Sequence, residues 1–260
     1  MEILNKLWFS QASLSAWLSC PLKFKYRYID GLYWPLPSGK TLQNLETGRK
    51  FHLLAQSHFN GRTPQLPPDE DPALGSWLSQ LQQWLPIEEG SHYLSEYELR
   101  LNEDGLRLLS KYDLIVCSGD DVVIYDWKTN AKPPARHLLS SPQTRLYLYL
   151  LCSVPRQIAV KKQQALMKYW NPRYPDQPLA LNYSEKQWEE DGKWLRELIA
   201  EIRADSVFPA TTDEKKCRYC EYRPVCHGRG LEGEAELDLD IEAVDWDEIE
   251  EISLQGAGVP

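Results

Sequence analysis

Residues 121–128 read Asp121-Val122-Val123-Ile124-Tyr125-Asp126-Trp127-Lys128, and the fold is read outward from them. The run of β-branched and aromatic residues after the turn signal Ser118-Gly119-Asp120 predicts a strand over Asp121–Trp127. Side chains two apart on a strand share a face, so Asp126 and Lys128 project together while Trp127 turns to the other side. In isolation Asp-x-Lys is a commonplace surface triplet. Its meaning depends on what surrounds it.

Upstream, His92–Leu101 and Leu106–Cys117 read as two more strands joined at Glu103-Asp104-Gly105. The short connections predict a three-stranded meander that brings Asp113 alongside Asp126. Downstream come a buried helix over Gln143–Val154, a strand over Gln163–Trp170 and a long amphipathic helix over Ser184–Ala204. Before the meander, Ser10 caps a short helix through Trp17 and Leu18, and Pro21 suits the first turn of the next. A Pro/Gly-rich break at Trp34–Lys40 precedes a long helix over Thr41–Phe59, with Leu42, Leu45, Phe51 and Ala55 at helical spacing. Pro64–Pro72 reads as a loop. A further helix carries Leu74, Trp77, Leu78, Leu81, Trp84 and Leu85 on one face. The expected fold class is α/β, a mixed sheet flanked by helices, without internal repeats.

The chain has 260 residues, of which 42% are hydrophobic, enough for one real core. No apolar run approaches the ~18 residues of a membrane span, and Met1–Ser15 lacks the pattern of a signal peptide. Net charge is −9, but eleven of the 38 acidic residues lie in Leu231–Pro260, which has no Lys or Arg. The rest carries 29 basic and 27 acidic residues, a body of +2 that is compatible with nucleic acid. The expected division is a domain over 1–230 and an acidic tail over 231–260. Leu237, Leu239, Ile241, Val244, Trp246, Ile249 and Ile252 punctuate that tail, which suits either a solvated segment or one that docks a partner or mimics DNA.

The chemistry-bearing residues fall into two sets. Asp113, Asp126 and the Trp127 carbonyl suit a hard divalent cation, Mg²⁺ or Mn²⁺. Lys128 can position water or stabilise charge developing on a phosphate. Gly48-Arg49-Lys50-Phe51-His52 places His52 one turn after a glycine, where it serves either as a ligand of the same metal or as a half-buried helix histidine. Gln143 and Tyr147 share a helix face and suit contacts to DNA phosphate or Lys128, or plain packing. On the first strand Glu96 and Glu98 both suit a solvated face, and alternation singles out neither as a site acid.

The second set is Cys20, Cys217, Cys220 and Cys226, the last three spaced C-x2-C-x5-C. Such a pattern signals metal ligation in a reducing compartment, and its chemistry suits a four-cysteine zinc site or an iron–sulfur cluster. Cys117 and Cys152 fall in apolar elements and read as packing residues. Lys23, Lys25 and Arg27 alternate with Phe24, Tyr26 and Tyr28, which suits either nucleic-acid contact or aromatics packed inward with solvated charges.

In chain order these features run Ser13 and Cys20-Pro21, Gly48-x-x-x-His52, Asp113, Asp126-x-Lys128, Gln143-x-x-x-Tyr147 and Cys217-x2-Cys220-x5-Cys226. This order resembles the PD-(D/E)XK nuclease superfamily in its RecB-like branch, over about residues 10–228. That branch includes the nuclease domains of RecB and AddB and the CRISPR-associated adaptation nucleases with iron–sulfur clusters. The resemblance implies a restriction-endonuclease-like fold closed by a four-cysteine [4Fe–4S] cluster. It further implies His52, Asp113 and Asp126 as metal ligands, Lys128 as catalytic lysine, and Gln143 and Tyr147 as accessory residues. The position three before the first acid, usually glycine in the family, is Ser110 here. The implied activity is an Mg²⁺- or Mn²⁺-dependent deoxyribonuclease, an exonuclease on single strands or ends. Its implied setting is the cytoplasm, in repair, recombination or CRISPR adaptation. Lacking a Walker-type glycine loop, it would take any helicase as a separate protein. The competing reading is a non-catalytic nucleic-acid-binding or scaffold subunit that keeps the fold and the cluster.

Overall fold

The computed structural model describes residues 2–32, 40–64, 66, 71–155, 158–159, 161–218 and 220–228. Helices α1 (Glu2–Lys6), α2 (Gln11–Ser19), α3 (Pro21–Phe24), α4 (Lys40–Phe59) and α5 (Pro72–Trp84) precede the meander. It comprises β1 (His92–Glu103), β2 (Leu106–Ser118) and β3 (Asp121–Trp127). Then follow α6 (Pro142–Ser153), β4 (Ala165–Trp170), β5 (Leu179–Asn182), α7 (Glu185–Ala204), α8 (Glu214–Arg218) and α9 (Arg223–His227). No helix among the described residues is long and apolar enough to cross a membrane.

The five strands form one mixed sheet in sequence order, every pair antiparallel except β3 and β4. A parallel neighbour requires a crossover, and α6 supplies it. Local chemistry sets the element starts. Ser10 and Ser13 form a reciprocal capping box at the head of α2. Ser141 and Ser184 accept from Thr144 and Gln187 at the heads of α6 and α7.

Several boundaries differ from expectation. Pro72 opens α5 instead of ending the loop, because proline suits a first helical turn and Asp71 caps it by accepting from Ala73 N–H. The helix begun at Pro21 becomes a π-turn over Lys25–Ile29. Residues 162–164 are a 3₁₀ turn, so β4 starts at Ala165. Strand β5 was not expected. Residues 34–39 of the expected break, part of the loop before α5 and the whole acidic tail lie outside the described residues.

Two apolar layers sandwich the sheet. On one side α6, α7 and the N-terminal helices bury Val122, Ile124, Ile115, Met167, Leu146, Leu150, Leu195 and Ile199. Where α6 meets α7, Gly192 is required: an added Cβ would stand 2.7 Å from the Tyr149 ring. On the other side α4 and α5 cover Leu114, Val116, Tyr125, Trp127 and Trp170. This second layer is built of rings. Trp127 stacks with Phe59 at 6.2 Å and meets Trp170 edge-on at 6.1 Å, while Trp84 stacks on Trp170 at 5.3 Å. Trp127→Ala is expected to cost about 3–5 kcal/mol in chemical denaturation, because the cavity opens among rigid rings that cannot close on it. A loss below about 1 kcal/mol would contradict this account of the layer.

The β1–β2 ribbon changes face midway. Before Glu96, Tyr93 packs with the α4 layer and Leu94 with the α6 layer; beyond it the odd-numbered Tyr97, Leu99 and Leu101 join the α6 layer. On β2 the same switch separates Tyr112 from Leu114. Glu96 itself has φ +50°, a left-handed conformation inside a strand. The register on either side, Ser95 with Leu114 and Tyr97 with Tyr112, sets Glu96 opposite Asp113. Past this bend β2 leaves β3, and Phe9 bridges Leu108 along the freed edge.

Candidate active site

The bend brings Asp113 together with His52 and Glu96, while the expected acid Asp126 stands outside that group. His52 reaches from α4 and its Nδ1 lies 3.1 Å from Asp113 Oδ1. Gly48, one turn earlier on α4, is buried. Oδ2 of Asp113 accepts the Trp127 backbone N–H at 2.7 Å, which ties β2 to β3 where their pairing ends. Glu96 completes the group: His52, Glu96 and Asp113 each offer a ligand atom, and these atoms all lie within 4.8 Å of one another. Of the two alternatives, Glu96 is therefore at the site. Glu98, two residues further along β1, is exposed and paired to Arg100 at 2.6 Å.

Asp126 and Lys128 share a face as expected, but both are buried, at 1% and 4% exposure. Lys128 Nζ lies 3.0 Å from Asp126 Oδ1 and donates to Gln143 Oε1 at 3.1 Å. Gln143 Nε2 donates to Asp126 Oδ2 at 2.7 Å, closing a triangle of three side chains. The amide orientation is thereby fixed, with oxygen toward the lysine and nitrogen toward the carboxylate. Tyr147, one turn further along α6, holds the chain instead: its hydroxyl donates to the Lys111 carbonyl at 2.8 Å, two residues before Asp113.

Electrostatics divide the acids. Burial raises the Glu96 pKa, the Asp113 charge adds to this, and His52 and Lys111 only partly offset it. Burial also works to raise Asp113, but the His52 charge and hydrogen bond, the Trp127 N–H and Lys128 outweigh it and hold the carboxyl below its ordinary value. Two facing carboxylates with opposed shifts suit a site meant for a cation, since bound positive charge relieves the repulsion between them.

Sequence reasoning missed Tyr169. It sits opposite Asp126 across the parallel β3–β4 pair, with its ring centroid 5.4 Å from Lys128 Nζ. Its hydroxyl meets Thr144 Oγ1 at 2.6 Å and Gln143 Oε1 at 3.5 Å. Only the strand pairing could have revealed it. Lys111, which lies 3.1 Å from Glu96 Oε2, was missed for the same reason.

The cysteine elements meet where the segment of α8 and α9 returns to α2 and α3. Lys23 pairs with Glu221 at 2.9 Å, Lys216 donates to the Leu18 carbonyl at 3.2 Å, and Thr211 N–H points at Cys20 Sγ at 3.3 Å. The Cys226 thiol is raised by burial and by Cys20, with a smaller effect from Cys217; Cys220 is pushed up to about 11 by burial and Glu221. Among the described residues no three sulfurs come within the 4.8 Å of one another that defines the His52 group. Cys117 and Cys152 pack apart from these, Cys152 buried and Cys117 half-buried. The basic residues of the Lys23–Tyr28 segment are engaged locally: Lys25 with Asp30, and Lys23 and Arg27 with Glu221. Phe24 packs inward against Trp17.

A mixed five-stranded sheet flanked by helices, with Asp126 and Lys128 at the end of its third strand, is consistent with a restriction-endonuclease-like fold. The family model of the PD-(D/E)XK nuclease superfamily matches residues 8–95 and 73–227, and the chain belongs to that superfamily. Such nucleases hydrolyse phosphodiesters with divalent metals. Among solved structures, the "Putative exonuclease" of Eubacterium rectale is similar over 88% of this chain and 91% of that one, with TM-score 0.54 and 10% identity. At that identity the likeness is one of fold. The crystal structure of SSO0001 is more distant in shape, with TM-score 0.38 and 13% identity over 84% of this chain and 85% of that one. No curated protein matches in sequence.

Proposed function

We propose that this protein is an Mg²⁺- or Mn²⁺-dependent deoxyribonuclease, an exonuclease acting on single strands or DNA ends in the cytoplasm. The observation that carries the reading is the Asp126–Lys128–Gln143 triangle beside the His52–Glu96–Asp113 group. The oxygen-rich donor set fits a hard cation. His52, Glu96 and Asp113 would hold the metal, with Asp126 and the Trp127 carbonyl at its margin. A metal bound there would supply Lewis acidity toward a phosphoryl oxygen and make bound water easier to deprotonate. Lys128, fixed by Gln143 and Asp126, is held to stabilise charge on the phosphate or to orient water. Tyr169 and Tyr147 keep Lys128 and β2 in place. This intact set favours a cutting enzyme over a scaffold subunit. Cleavage of labelled DNA with and without Mn²⁺ tests it, and absence of metal-dependent cleavage would overturn it.

The four cysteines are proposed to hold a [4Fe–4S] cluster. The reading is supported by the C-x2-C-x5-C spacing and by the return of the Cys217–Cys226 segment to the α2–α3 corner that carries Cys20. The proposed setting is repair, recombination or CRISPR adaptation, beside a separate helicase or adaptation protein. Deleting Leu231–Pro260 would leave a body of +2 in place of −9. If the tail competes for the DNA surface, its removal is expected to tighten DNA binding and steepen the salt dependence. Unchanged DNA binding together with loss of a partner complex would assign it to docking instead.

A further inference from the structure

The bend at Glu96 and Asp113 gives the outer face of the distal β1–β2 ribbon one continuous path away from the metal group. Lys111 begins it, with its Nζ 3.1 Å from Glu96. Arg107 lies six residues beyond Asp113, roughly 20 Å along the strand. Arg100 is on the same face of the neighbouring strand, because Asn102 pairs with Arg107 and side chains two apart align. Trp8, which enters beside the strand with Phe9, receives both guanidiniums, with its ring centroid 4.6 Å from Arg107 and 5.2 Å from Arg100. Arg203 comes up from the last turn of α7 and donates to the Gly105 carbonyl at 2.7 Å.

Two of the three arginines in this cluster are not matched by a carboxylate. Arg100 is paired to Glu98, but among the described residues neither Arg107 nor Arg203 has a carboxylate at ion-pair distance. Their contacts are a carbonyl each, from Asn5 and Gly105, and the rings of Trp8 and Phe9. The Nε atoms of both are buried without a hydrogen-bond partner. Burial, and then the neighbouring Arg107 charge, lower the Arg203 pKa, as two like charges brought together must. Guanidiniums remain charged in proteins, so this pair calls for an anion. Trp8 is only half-buried, which leaves part of its ring open to a base.

We propose that Trp8, Arg100, Arg107 and Arg203 form a second nucleic-acid contact, which grips the phosphate backbone of a single strand whose cleavage point lies at His52, Glu96 and Asp113. The inference rests on the nuclease reading for the strand's path. Its chemistry, phosphate on guanidinium with a base against an aromatic ring, is that of sequence-independent strand binding.

The test is fluorescence anisotropy with labelled oligothymidylates in buffer free of divalent metal. One oligonucleotide is long enough to span from the metal group to Trp8; the other is too short. In Arg107→Gln, which keeps a donor for the Asn5 carbonyl, the long-to-short affinity ratio is expected to fall about ten-fold. The slope of log affinity against log salt for the long strand should flatten by about 0.7, one single-strand phosphate contact. Arg100→Gln is exposed and cannot act by unfolding the ribbon, and the ratio should fall there too. An unchanged ratio in both variants overturns the proposal, and so does an equal loss for both lengths. Displacement of the long strand by inorganic phosphate at constant ionic strength would mark a free-anion site and also overturn it. Absence of Mn²⁺-dependent cleavage by the unaltered protein, with the long-strand preference intact, would sink the nuclease reading and leave this contact standing.

Discussion

Lys128→Ala is expected to lower Mn²⁺-dependent cleavage at least about 10³-fold while leaving single-strand affinity nearly unchanged. The lysine is a group whose value lies in the transition state. It is buried, held 3.0 Å from Asp126 and 3.1 Å from Gln143, so its orientation is fixed before substrate arrives. Removing one preorganised donor of this kind costs about 10²–10³ in rate. Loss of the cation beside buried Asp126 disturbs the metal group further. That second effect also threatens the fold, since removing one partner of a buried ion pair costs about 3–5 kcal/mol. Lys128→Met, which keeps the length, combined with Asp126→Asn, which removes the stranded charge, separates the two. The double variant should recover much of the melting temperature and none of the cleavage. Asp113→Ala should be as inactive as Lys128→Ala, and combining them should add little, because the groups act as a unit. Cleavage within ten-fold of the unaltered protein in Lys128→Ala would remove the lysine from the mechanism.

The meander, the long helices and the pairing of Asp126 with Lys128 were legible because period-2 and period-3.6 patterns report directly on which face is buried. The choice of Glu96 over Glu98 was not legible. Alternation presumes one inward face per strand, and β1 changes its inward face at a residue with φ +50° that is not glycine. Such a conformation costs free energy and persists where surrounding structure imposes it, often at functional sites. Tyr169 was invisible for another reason: it enters the site only through the parallel pairing of β3 with β4, which no local pattern encodes. Strand β5 has four residues of mixed exposure, too short for its alternation to stand out. Arg107 and Trp8, far apart in sequence, meet only because the N-terminal segment fills the edge that β2 frees beyond the bend.

Purified under anaerobic conditions, the protein is expected to be brown, with about four irons per chain, and Cys217→Ser to be colourless and much less stable. The size of the second effect follows from where the ligands sit. Cys20 follows α2, whereas Cys217, Cys220 and Cys226 lie in and between α8 and α9, so the cluster would close a loop of almost the whole domain. Without it, the two ends are still joined by Lys23–Glu221, Lys216 to Leu18 and Tyr222 to Leu32, at 2.9, 3.2 and 2.7 Å, by Arg27–Glu221, and by the rings of Phe208 on Trp17 and Phe24 and of Tyr26 on Tyr222. The partly exposed ion pairs among these contribute about 1 kcal/mol each or less. A covalent cross-link closing a loop of about 200 residues restricts the unfolded chain by about 5 kcal/mol on the chain-entropy model. At about 2–4 °C per kcal/mol for a chain of this size, Cys217→Ser should melt about 10–20 °C lower. Asp113→Ala should keep both the colour and the iron, because no cysteine belongs to the His52–Glu96–Asp113 group. One zinc per chain in a colourless, anaerobically prepared protein would replace the cluster with a zinc site. Unchanged melting of Cys217→Ser would show that the ends are held by the side-chain contacts alone.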